Sequence, residues 1–172
     1  MVLRRFWSAV LALGLLAVQA PGLGTQPLLR VTDLTAQTGV LDGEVILCRP
    51  FPVEGVVLVY THSMFGGDVQ ETFVPANGML RRVEMTTANG AAADYYAFTA
   101  SVTRVGDRYR IKVPPAEFTD IVVRVDDVGS HRLMIGDETL DLLAMTGQAH
   151  RVRLDLVTSP WVFRLWSGDN GC

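Results

Sequence analysis

The chain has 172 residues, 49% of them apolar and 19% charged, enough for one domain with a buried core and no more. Eighteen acidic side chains against fifteen cations give a net charge of −3, and Lys112 is the only lysine. Nucleic-acid binding is therefore not expected, because it needs a basic stripe or patch.

Residues 1–20 open with two arginines, followed by an uncharged apolar run over residues 6–18. That is the layout of a secretory signal peptide, too short for a bilayer span unless it stays uncleaved as an N-terminal anchor. Export makes a periplasmic or otherwise extracytoplasmic location the expectation, with membrane contact only through an uncleaved N-terminus. It also makes the two cysteines, Cys48 and Cys172, candidates for a disulfide. Such a bridge would contribute on the order of 4 kcal/mol in the chain-entropy model. Cys172 is the last residue, so an unpaired tail stays an equal alternative.

Residues 21–27 form a Gly/Pro-bearing spacer, and residues 28–166 are read as a single domain with a loose tail over 167–172. The first strands are expected at 28–32 and 44–48, the second ended by Pro50 and Pro52. A hairpin follows. Residues 56–63 alternate as a strand, with Val56, Leu58, Tyr60 and His62 on one face, and residues 69–74 return. Gly66-Gly67 suits a two-residue turn with positive φ at both positions. That turn predicts a register with His62 opposite Glu71, Tyr60 opposite Phe73 and Ser63 opposite Gln70. An imidazole and a carboxylate would then meet across the ladder at about 5 Å between Cβ atoms. His62 and Glu71 are thus the leading candidate site. The pair is read either as a ligand grip, most naturally for a small anionic solute, or as ordinary polar satisfaction on a half-buried face. Ser63 beside His62 suggests a nucleophile, but strand neighbours point to opposite faces and no G-x-S-x-G elbow occurs.

Residues 79–87 predict a strand with Met79, Val83 and Met85 on one face and Arg82 and Glu84 on the other. Residues 88–93 read as a loop of small residues, and 94–98 as a short aromatic strand or the edge of the same loop, whose Asp94 joins the candidate site. Regular alternation then predicts strands near 108–113, 121–126, 132–135, 150–156 and 161–166. Residues 139–145 fit a short strand or one helical turn. His150 sits on an apolar face as a core histidine. A zinc site drawn from His62, His131 and His150 lacks any short ligand spacing, so neither metal nor cofactor is expected. Short strands punctuated by turns at 8 to 12 residues, without a long amphipathic helix, predict an all-β fold. The architecture expected is an antiparallel two-sheet β-sandwich, or a partly open barrel, of nine or ten strands.

The run YTHSM from Tyr60 to Met64, Glu71 with Phe73 after it, and TTANGAAA from Thr86 to Ala93 together resemble the bacterial domain of unknown function 1850 family. The resemblance spans about residues 45–157, with two departures, Phe65 where the family usually has an acid and Asp68 where it has proline. These are small exported domains often encoded beside TAXI-type TRAP transporters, without an established activity. The resemblance implies an extracytoplasmic, non-enzymatic accessory or binding domain whose partner is a transporter or solute-receptor component. Tyr60, His62, Ser63, Glu71 and Asp94 are the ligand-binding candidates. The alternatives are a hydrolase using His62 and Glu71 as an acid/base pair, and a purely structural envelope protein.

Overall fold

A computed structural model describes residues 25–36, 43–97 and 101–160. The segment read as a secretory signal, the strand expected at 161–166 and Cys172 lie outside the described residues. Cys48 is disulfide-bonded and no described cysteine is free.

The described chain forms two antiparallel sheets, the expected β-sandwich, with twelve strands and two short helices. The smaller sheet runs β2 (Glu44–Pro50), β1 (Thr25–Asp33), β12 (Arg151–Pro160), β9 (Asp120–Arg124). The larger is centred on β3 (Val56–Thr61), β4 (Asp68–Ala76) and β5 (Met79–Thr87). On the β3 side it continues through β10 (Arg132–Ile135) to β11 (Glu138–Asp141). On the β5 side lie β7 (Arg108–Lys112), β6 (Ser101–Val105) and β8 (Ala116–Phe118), with β7 and β8 pairing different halves of β5. The ambiguous stretch near 139–145 resolves as both alternatives, β11 and then the helix α2 (Leu142–Thr146). Asp141 caps α2 by accepting from the Leu143 and Ala144 N–H groups.

The inner faces follow from period-two alternation. Leu29 and Val31 of β1 and Val152 and Leu154 of β12 meet Val56, Leu58, Phe73 and Leu133 of the larger sheet. Each of these, fully buried, stabilises the fold by about 1.5–3 kcal/mol before chain entropy is charged against it. Two polar contacts tie β1 to β12 and the residue before it: the Arg30 guanidinium donates to both Asp155 carboxylate oxygens, and His150 Nδ1 lies 2.7 Å from Asp33 Oδ2. His150, expected as a satisfied core histidine, has as its partner a carboxylate 117 positions away in sequence.

Three expectations need correction. In the β3–β4 hairpin Thr61 pairs with Asp68, Tyr60 with Val69 and Leu58 with Glu71, so Glu71 lies opposite Leu58 and not His62. The turn is longer than two residues. His62 N–H donates to the Gly67 carbonyl and Gly66 N–H to the His62 carbonyl, which closes a four-residue loop centred two positions earlier. Both glycines do adopt positive φ, 66° and 74°. Because the register moves by four, an even number, every β3 and β4 side chain keeps its expected face. Second, a bulge at Thr72/Phe73 leaves Val83 unpaired, so Val83 is exposed while Leu80 and Met85 are buried. Third, residues 90–96 are neither loop nor strand. They form the helix α1 (Gly90–Tyr96), which carries Asp94 on its exposed side.

Candidate functional site

His62 ends β3 and turns its ring back over the hairpin loop. Its Nδ1 accepts the Met64 and Phe65 N–H groups, both at 3.3 Å, so Nε2 bears the ring proton. The residue is only 7% exposed. Aromatic rings wall it in: Phe65 at 5.2 Å, Tyr95 at 5.3 Å and Tyr96 at 5.8 Å between centroids, the two tyrosines edge-on. Phe65 is part of this wall.

Asn89 fastens helix to hairpin. Its Oδ1 accepts from Ala91 and Ala92 N–H as the cap of α1, and its Nδ2 donates to the Phe65 and Gly66 carbonyls. The fit demands glycine at 67, where an added Cβ would stand 2.7 Å from the Asn89 Cβ. Alanines at 92 and 93 bury completely and let α1 lie close. The small-residue run thus serves packing, and it places Tyr95 and Tyr96 against His62. An Asn followed by Gly-Ala-Ala is a readable cap signal, and sequence reasoning missed it.

Glu71 is engaged elsewhere. Its Oε1 accepts the Tyr60 hydroxyl at 2.7 Å and its Oε2 the Arg82 guanidinium at 3.1 Å. Tyr60 and Glu71 share a face of the hairpin, as alternation predicts, but Arg82 was assigned to the opposite face of β5 from Met85. The bulge reverses that: Arg82 pairs with Phe73, Met85 with Glu71, and both side chains emerge on one side. Burial, reinforced by the Glu71 charge and the Tyr96 hydroxyl, pushes the Tyr60 phenol well above its ordinary range. This chain faces a cleft of about 430 Å³ between the sheets, floored by Leu58, Phe73, Phe118 and Val123. Arg82 Nε is buried without a hydrogen-bond partner among the described residues.

A second opening, of about 420 Å³, lies on the other side of Tyr60 at the sandwich end. Its lining comes from three segments: the hairpin loop with His62 and Ser63, α1 with Tyr95 and Tyr96, and the turn before β10 with Asp126. His131, stacked on Tyr60 at 6.0 Å, borders both openings. Burial pushes the His131 imidazole below its ordinary value, against the opposing pull of Asp126. Gly129 makes room for it, since a Cβ there would meet His131 Cε1 at 2.5 Å.

No family model, curated protein or solved structure matches this chain. The site must be judged on its own geometry. Of the five ligand-binding candidates, Tyr60, His62 and Ser63 border the mouth, Glu71 stands behind Tyr60 in the neighbouring cleft, and Asp94 lines neither. The His62–Glu71 pair is not formed. Sequence reasoning missed Arg82, His131 and Asp126 as well as Asn89. The β5 bulge brings Arg82 to the Tyr60–Glu71 pair, and the β3–β10 pairing within the larger sheet brings His131 to Tyr60.

Proposed function

We propose that this chain is an exported, non-enzymatic binding domain that takes a small organic solute in the aromatic mouth beside His62 and serves a TRAP-type uptake system. The observation that carries the binding reading is the mouth itself, an opening of about 420 Å³ on which aromatic side chains from separate segments converge. Export rests on the leader-like N-terminal segment, and the transporter association on the resemblance of residues 60–93.

A hydrolase reading draws no support from the geometry. Its acid/base pair would need His62 against Glu71, yet Glu71 is shared between Tyr60 and Arg82, and His62 Nδ1 is taken by backbone N–H groups. Ser63 is exposed, and its hydroxyl makes no hydrogen bond to His62 among the described contacts.

Thermal-shift measurement of the purified protein against organic acids, amino acids, amines and sugars at millimolar concentration tests the reading. A solute that binds only the folded chain at a hundredfold excess over its Kd adds about 2.7 kcal/mol, enough to raise Tm by several degrees. At least one compound is expected to do so, with the shift lost in Tyr95→Ala, a change at an exposed ring that leaves the core intact. Silence across the panel would overturn the binding reading in favour of a structural envelope protein.

A further inference from the structure

Building on the binding reading, the chemistry of the mouth narrows the solute. The lining includes the rings of Tyr60, Tyr95, Tyr96, His62 and His131. Among the described residues that line it, Asp126 is the one carboxylate and there is no lysine or arginine. Asp126 Oδ1 accepts the Gly129 N–H at 2.6 Å, which fixes the carboxylate's position. Arg82 cannot serve the mouth, because it lies in the other cleft against Glu71. Burial disfavours the charged form of His131, against the opposing pull of Asp126. Aromatic faces present negative quadrupole potential, and a carboxylate beside them adds a full negative charge in a partly desolvated space. An anion would meet repulsion there and no compensating cation.

We infer that the mouth recognises an alkylated ammonium group, seated against the Tyr95, Tyr96 and His62 rings with Asp126 as its counter-charge. The alternatives among cations fit less well. A hard metal ion needs six or more oxygen ligands, whereas the walls here are ring carbon. A primary ammonium asks for three hydrogen-bond acceptors, whereas the ring walls of Tyr95, Tyr96 and His62 offer aromatic surface in place of lone pairs. A methylated ammonium needs no acceptors; it asks for rings, a nearby negative charge and apolar contact for its methyl groups. The rim supplies the last: Met64 and Val128 are 69% and 64% exposed, Tyr95 49%, apolar surface that a bound solute would cover.

The test uses the intact protein and three probes of similar size: choline, its uncharged carbon isostere 3,3-dimethylbutanol, and a short organic acid. Calorimetry or thermal shift should show choline bound at least about tenfold more tightly than the isostere. Tyr95→Leu, which keeps apolar bulk but removes the ring, should weaken choline by about fivefold or more, while Tyr95→Phe restores it. Asp126→Asn keeps the oxygen that accepts from Gly129 and removes only the charge, and should cost about tenfold. Equal binding of choline and the isostere, or a preference for the organic acid abolished by the same variants, would overturn the ammonium assignment yet leave a binding domain standing. No binding by any probe, together with silence of the wider panel, would overturn both.

Discussion

The hairpin end and the β1–β12 strip each hold an inward-turned histidine, and they treat it in opposite ways. His62 is encircled by Phe65, Tyr95 and Tyr96 and satisfied by backbone N–H groups two and three residues on. His150 is clasped at 2.7 Å by Asp33, whose other oxygen accepts the Thr35 N–H. The histidine–carboxylate pair anticipated in the first region is absent there, and one exists in the second, where 117 positions separate the partners. Bonds local in sequence orient the His62 ring at an opening whose walls come from three separate segments. The long-range pair stitches the smaller sheet. A polar pair inside a β-sandwich is thus no pointer to its functional end, and here the end with the aromatic opening is the one where the histidine has no acidic partner among the described residues.

The largest effect that sharpens this contrast comes from the stitched side. Asp33 is 4% exposed. Asp33→Ala leaves the His150 imidazole and the Thr35 N–H without their acceptor, and should lower stability by about 2 kcal/mol in urea unfolding. Ligand binding at the mouth, at the other histidine, should not change. A loss of binding in a folded Asp33→Ala protein would show the two regions to be coupled.

Next in size is Asn89→Ala. It removes the cap of a two-turn helix and the bonds that hold the loop carbonyls, for an expected loss of about 1–2 kcal/mol by the same measurement. Unlike Asp33→Ala, it should also weaken choline, because Tyr95 and Tyr96 ride on the helix that Asn89 anchors. Stability lost with binding untouched would contradict the role assigned to Asn89 as the clamp of the mouth.

These two residues also mark the boundary of what could be read in advance. The sheets, most strands and the face of nearly every β3 and β4 side chain were legible, because alternation survives an even register shift. The His62–Glu71 register was not, since Gly66-Gly67 fits a two-residue turn as well as the C-terminal part of the four-residue loop. What decides between them is the His62 ring accepting from Met64 and Phe65, a local bond that no pattern of residue types announces. The bulge that brings Arg82 to Glu71 is equally silent in the sequence, and it also explains the exposed Val83. Asp33 with His150 needs the β1–β12 pairing, the most non-local in the smaller sheet.

A smaller effect concerns pH. The folded state disfavours protonated His131, while in the unfolded chain the same imidazole titrates at its ordinary value of 6.5. Below that value the unfolded chain takes up a proton that the folded one resists, so stability falls as pH drops and the contribution is fully present above it. His131→Phe keeps a ring against Tyr60 and removes the titration. Relative to the parent, the variant should gain stability steadily between pH 7 and 5 in denaturant melts. A difference independent of pH would mean that the cavity solvates this imidazole as well as bulk water does.

The smallest expected effect is a null, and it tests the register directly. Glu71→Gln preserves an acceptor for the Tyr60 hydroxyl and should leave the His62 ring resonances where they are, while Asp33→Asn moves those of His150. The reason is positional: Glu71 is opposite Leu58, and the Tyr60–Val69 and Thr61–Asp68 pairs stand between it and the loop. The hydrophobic pattern of β3 and β4 cannot by itself forbid the tighter register, because a slip of four residues exposes no buried face. What opposes it is the loop, through the His62 ring and the Asn89 clamp, and a His62 signal that responds to Glu71→Gln would reveal the tighter hairpin populated in solution. The response should then grow in Asn89→Ala, where one of the two restraints is gone.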